Sequence, residues 1–191
     1  MEQKTALIVG AGHTAAERMA VQLAELNWQV IVVGQDAERL MALAERAPDR
    51  IDPLPMALNS RENAEQLGAV WGDEPLHALA QFQPVLMPLQ ITLAVRSVAL
   101  MTGAFAAGLR AARGVNLVAM PRSRDLEDPL SQAAEGAHSR ALRALALAHQ
   151  KAGFRTVGLL SAGARGKAIA GMAVDIATGA LPTGNGAVRA V

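Results

Sequence analysis

Cysteine and tyrosine are both missing from this chain of 191 residues. Without cysteine there is no disulfide, no thiolate nucleophile and no thiolate-ligated metal. Without tyrosine there is no phenol to donate a proton. Aromatic residues amount to only 3%, so the core must be built from Ala, Leu, Val and Met, which suits helices packed closely on a sheet. No sign of charge dominates: 18 Lys and Arg stand against 17 Asp and Glu, for a net charge of +1. Bulk charge therefore gives no case for nucleic-acid binding. The histidines His13, His77, His138 and His149 show no metal-ligand spacing and have no carboxylate cluster beside them. There is no G-x-S-x-G elbow, and Ser161-Ala-Gly-Ala-Arg-Gly-Lys167 lacks the spacing of a P-loop.

The opening Met1-Glu2-Gln3-Lys4 leads straight into an apolar run without a signal-peptide pattern, so a cytoplasmic location is expected. Val85 to Leu109 is apolar apart from Pro88, Gln90, Thr92, Arg96, Ser97 and Thr102. A membrane span of that length would carry Arg96 near its centre, at a high cost. A buried helix is the expected reading, with no membrane partner.

What is present is a regular alternation. Ala6 to Val9 is a continuous apolar run ending at Gly10, the pattern of a strand covered on both faces. Thr14 to Leu26 follows with one apolar helical face, and Val30 to Val33 is a second strand closed by Gly34. Ala37 to Ala47 reads as a helix stopped by Pro48, and Ile51 to Leu58 as a third strand that Pro53 and Pro55 weaken, either an edge strand or an irregular segment. Ser60 caps a helix to about Trp71, and Leu76 to Ala80 is a weak strand. A long helix is expected over Leu89 to Arg113, with Gly114 as its stop. Val115 to Met120, Leu130 to Ala152, Thr156 to Leu160 and Ala168 to Ala177 continue as strand, helix, strand and helix, with Ala187 to Val191 a possible last strand. The length suits one domain, and no linker or repeat interrupts it. Right-handed crossovers then give one α/β domain over residues 1–191: a doubly wound, Rossmann-type, three-layer architecture with a mostly parallel sheet.

The first strand–loop–helix carries Gly10-Ala11-Gly12-His13-Thr14-Ala15-Ala16, which fits G-x-G-x-x-A. Such a loop lets backbone amides and a helix N-terminus approach a pyrophosphate, although a tight turn alone would use the same glycines. Gly10, Gly12, His13 and Thr14 are the candidate phosphate-side residues, and Gln35 the candidate ribose contact at the end of strand two. An acidic residue is the usual ribose partner there, and a basic one the usual partner of a 2′-phosphate. Gln35 is neither, and Asp36 is placed to cap the next helix, so NAD and NADP both lack their discriminator.

The segment TALIVGAGHTAAERMAVQLAELNWQVIVVGQDAERLMAL resembles the opening of the short-chain dehydrogenase/reductase family, and the likeness extends to about residue 163. Leu100-Met-Thr-Gly-Ala-Phe105 resembles that family's Asn-Leu-x-Gly-x-Phe segment, and Ser139-Arg-Ala-Leu142 its Ser-Lys-Ala-Ala. The resemblance implies a proton-transferring tyrosine, a lysine four residues on, a serine and an asparagine. Those positions fall here on Gly136, Arg140, Arg122 or Ser123, and Leu100. The family's Asn-Asn-Ala-Gly reads Gln81-Phe82-Gln83-Pro84, and the Pro of its Pro-Gly is Ala162, with Gly163 retained. Arg140 stays protonated and cannot shuttle protons. His138 has a suitable intrinsic pKa but lies about 200° around the helix from position 136.

These residues point to a catalytically degenerate relative, a pseudoenzyme with no cofactor or with weakly bound NAD(P), acting as a structural or regulatory subunit. The resemblance implies pairing, with itself or with an active dehydrogenase, through the small-residue faces of Leu89 to Arg113 and Leu130 to Ala152. Two other readings remain: an NAD(P)-dependent oxidoreductase with non-standard groups, and a nucleotide- or anion-binding protein without turnover. For the last, Arg122, Arg124, Arg140 and Arg165 could gather at the strand ends, unless Asp125, Glu127 and Asp128 pair with them as a solvated rim.

Overall fold

The computed structural model describes residues 3–57, 60–123, 128–161 and 166–191. Arg124, Asp125, Glu127, Ala162, Gly163 and Arg165 lie outside the described residues, as does the end of the expected third strand at Leu58.

β1 (Thr5–Val9) is followed by α1 (Thr14–Glu25), β2 (Gln29–Gly34), α2 (Ala37–Ala44), β3 (Ile51–Pro55) and α3 (Arg61–Trp71). β4 (Ala78–Gln81) leads into a one-turn helix α4 (Gln83–Leu86), then α5 (Ile91–Ala104) and α6 (Ala106–Ala112). β5 (Val115–Pro121), α7 (Pro129–Ala148), β6 (Arg155–Ser161), α8 (Gly166–Thr178) and β7 (Val188–Ala190) complete the chain. The strands form one sheet in the order β3-β2-β1-β4-β5-β6-β7, and every pair is parallel. The expected doubly wound α/β fold is present.

Alternation along the strands divides the core. Ala6 and Ile8 of β1 join Val115, Leu117 and Ala119 of β5 under α1, α2 and α8. Leu7 and Val9 point to the other face, beneath α3, α5 and α6. Val118 and Met120 of β5 lie on that second face with Val98 of α5 and Leu142 of α7. β3 is an edge strand, so Pro53 and Pro55 interrupt no ladder on its outer side, as their positions predict.

Two expectations need correction. The helix expected over Leu89 to Arg113 is two helices, bent by 57° at Phe105. Phe105 is fully buried and its ring stands edge-on to Trp71, so the bend keeps an aromatic anchor on the sheet. Among the described residues no single helix is long and apolar enough to cross a membrane. The second correction concerns the stop at Gly114. The left-handed residue is Arg113 (φ 50), while Arg113 N–H donates to Arg110 O and Gly114 N–H to Leu109 O, a Schellman pair. Gly114 is required for another reason: a Cβ there would lie 2.4 Å from Leu76 O. Smaller shifts are that β4 begins at Ala78 rather than Leu76, and α7 ends at Ala148 rather than Ala152.

Candidate functional site

The strand order reverses between β1 and β4, and open α/β sheets receive ligands in the crevice above such a point. On the β1 side, Gly10 takes φ +90, a conformation that glycine adopts without strain. The Gly10 and Ala11 amides both donate to Val33 O, at 2.9 and 3.1 Å. His13 is the N-cap of α1, and its Nδ1 accepts the Ala15 amide at 3.2 Å. That amide is one of the donors a helix N-terminus offers to an anion. Gly12 and Thr14 remain exposed. Burial holds the His13 imidazole below its ordinary pKa, with Glu17 opposing that shift and Arg39 adding to it.

The β4 side closes over this loop. Phe82 follows β4, donates its amide to Val9 O at 2.8 Å and is 1% exposed. A Cβ on Gly10 would lie 3.1 Å from both Phe82 Cβ and Leu86 Cδ1. The His13 ring stacks on Phe82 with centroids 5.8 Å apart. Beside the loop lies a cavity of about 170 Å³ bounded by Gly12, Gly34, Gln35, Asp36 and Arg39, with Leu86 on its wall. Small-molecule pockets span roughly 300–1,000 Å³. Gln35 is exposed on this rim, and Asp36 caps α2 by accepting the Arg39 amide at 3.0 Å, as its position predicts. Arg39 pairs with Glu17 across the same rim. Neither Arg39 nor the closure by Phe82 and Leu86 was legible as a site feature; the only signal for Arg39 is a basic residue in the first turn after β2.

The positions that the resemblance implies for proton chemistry fall on α5, on α7 and on the segment after β5. Gly136 offers no side chain, and a Cβ there would meet nothing within 4 Å. Arg140 and Arg122 are exposed, while Leu100 packs against the core beneath α3 and α5. Ser123 donates its amide to Glu135 Oε2 at 2.8 Å. His138 is 2% exposed, with Nε2 3.3 Å from Pro88 O, so it packs α7 against the segment before α5. Burial lowers its pKa, and the Pro88 carbonyl partly offsets that. Asp128 caps α7 through the Leu130 and Ser131 amides, and the Ser131 hydroxyl holds its carboxyl below the ordinary value. Because Arg124 and Arg165 lie outside the described residues, the expected arginine cluster has only Arg122 and Arg140 placed. Among the described residues no group of three His, Asp or Glu could hold a metal ion.

A buried amide network went unread in the sequence. Gln81 Nε2 donates to Asn116 Oδ1 at 2.9 Å and to Thr102 Oγ1 at 3.0 Å, and Asn116 Nδ2 reaches the same hydroxyl at 3.0 Å. Gln83 joins through Gln81 Oε1 and Ser97 Oγ, each at 3.4 Å. All five side chains are fully buried. Polar residues dispersed over four elements leave no local pattern, so only the fold brings them together.

No protein-family model and no curated protein sequence matches the chain. Solved structures do. A metagenomic short-chain oxidoreductase in complex with NADP superposes with a TM-score of 0.78 at 15% identity, covering 98% of this chain and 96% of that one. The Pseudomonas aeruginosa RhlG/NADP active-site complex gives 0.79 at 16% identity, over 98% and 94%. YwfH, an NADPH-dependent reductase involved in bacilysin biosynthesis, gives 0.80 at 9% identity, over 100% and 98%. The chain has the short-chain dehydrogenase/reductase fold. The resemblance read from the glycine loop and the later helix segments is thus borne out for the architecture.

Proposed function

We propose that this protein is a non-catalytic member of the short-chain dehydrogenase/reductase fold, acting as a structural or regulatory subunit with at most weak affinity for NAD(P). The observation that carries this reading is the packing of Phe82 and Leu86 over Gly10, beside a cavity of about 170 Å³. Gly136, Arg140 and Leu100 add that the groups for proton transfer are replaced. The subunit contact uses the outer faces of α5 and α7, where Arg96, Ala99 and Gly103 on one helix and Ala133, Ala144 and Leu147 on the other are exposed. Small residues there permit close helix approach to a second copy or to an active dehydrogenase relative.

Ligand binding to the native state raises the melting temperature in proportion to RT ln(1 + [L]/Kd). Millimolar NADH and NADPH are expected to leave the melting temperature unchanged, and the protein purified from its own cells is expected as an oligomer or with a dehydrogenase. Saturable stabilisation by NADPH, with carbonyl turnover abolished by Ser123→Ala or Arg140→Ala, would replace this reading with an oxidoreductase that uses non-standard groups.

A further inference from the structure

The outer faces of α5 and α7 carry charge of one sign. On α5 the exposed residues Thr92, Arg96, Ala99 and Gly103 follow helical spacing and form one stripe. On α7 Ala133, Arg140, Ala144 and Leu147 form a second exposed stripe, with Arg143 beside it. α5 contains no carboxylate. α7 contains only Glu135, which is half-buried and accepts the Ser123 amide at 2.8 Å. Glu65 borders the same groove between α3 and α5 as Arg96, but it is paired with Arg61 at 3.5 Å. Among the described residues, Arg96, Arg140 and Arg143 pair with no carboxylate.

A two-fold contact between copies of this chain would bring the same patch against itself. Each guanidinium would then lose water to a surface that offers it like charges and small side chains, with no carboxylate in return. Such juxtaposition is what suppresses a wrong partner. All three cations are arginines, whose planar fork holds a carboxylate through two parallel hydrogen bonds, and arginine is the cation that protein interfaces retain. We infer that the face formed by α5 and α7 fits a different subunit, one whose own helix face presents carboxylates to Arg96, Arg140 and Arg143, and that it rejects a second copy of this chain. The inference rests on the subunit reading above and narrows its two partners to one.

An acidic-faced partner for the test can be made from the chain itself. The variant Arg96→Glu/Arg140→Glu/Arg143→Glu changes only exposed positions, so it keeps the fold, which circular dichroism checks. Because all three residues are exchanged, carboxylates meet cations of the unaltered chain whichever positions come opposite. In sedimentation velocity at about 0.01 M salt, each chain alone is expected as a monomer and the equimolar mixture as a dimer. Raising the salt to about 1 M cuts the screening length from about 30 to about 3 Å and should weaken the mixed dimer at least about 10-fold. Arg140→Glu/Arg143→Glu, which leaves α5 unaltered, should form the same mixed dimer more weakly and replaces the first variant if that one does not fold. A dimer of the unaltered chain alone at low salt overturns the inference and leaves the subunit role standing. A mixture that stays monomeric, or a mixed dimer indifferent to salt, also overturns it. Carbonyl turnover with NADPH would instead remove the subunit reading, and the inference with it.

Discussion

Gly10 meets two constraints at once, a backbone and a packing one. Its φ of +90 is costly for any residue with a Cβ, and the place of that Cβ is taken by Phe82 and Leu86 at 3.1 Å. Gly12, two residues on in the same motif, has neither constraint: nothing lies within 4 Å of its Cβ position and its φ is not positive. Gly10→Ala is therefore expected to destabilise by about 2–4 kcal/mol, from backbone strain and overpacking together. Gly12→Ala should fall within about 0.5 kcal/mol of the parent. Urea denaturation of the two variants separates them, and equal losses would show that the closure by Phe82 does not bear on the loop. A G-x-G motif gives both glycines the same weight in sequence. That is why the loop was legible as fold, while its use as a contact surface for Phe82 was not. His13 illustrates the same limit. A histidine beside a glycine loop suggests a ligand contact, but its Nδ1 is engaged with the Ala15 amide as a cap.

At the scale of elements, most boundaries follow from local chemistry. Asp36, Ser60 and Asp128 cap α2, α3 and α7 with their own carboxyl or hydroxyl groups, and each carries the type of side chain that does so. The misread boundary, at Phe105, depends on a tertiary anchor: the break places a fully buried ring against Trp71, and no helix-breaking residue stands there to announce it. The amide network is of the same kind. Gln81 sits on β4, Asn116 on β5 and Thr102 on α5, and their hydrogen bonds fix that helix over the two strands. Removing one member leaves the others buried and unsatisfied, which costs more than the loss of one bond. Gln81→Leu is expected to destabilise by about 2–3 kcal/mol, and Asn116→Leu similarly. In the double variant the losses should be less than additive, because the second change removes a group that the first had already orphaned. A double-mutant cycle by thermal denaturation measures this, and strict additivity would dissolve the network into independent bonds.

For the whole molecule, the two histidines on opposite sides of the sheet give stability a common pH dependence. Burial holds both His13 and His138 below the ordinary value of 6.5, so between their folded and unfolded pKa values the unfolded chain binds more protons than the native one. Stability from both is then fully present above about pH 6.5 and is lost as the pH falls through their folded values. Asp128 acts in a separate and lower window, since its ordinary value is 3.8 and its hydrogen bonds to Ser131 depress it further. The melting temperature should therefore decline between neutral pH and the onset of carboxylate protonation, in a step that carboxylates do not explain. His13→Asn tests the origin of that step. Asparagine can still accept the Ala15 amide as an N-cap but cannot titrate, so the helix start is retained while one of the two protonation sites is removed. The variant should lose part of the decline between pH 7 and pH 5 and show the same stability as the parent near pH 7.5. A parallel offset at every pH would mean that His13 contributes packing on Phe82 and no proton linkage. An unchanged slope with unchanged stability would assign the whole acid-side loss to His138.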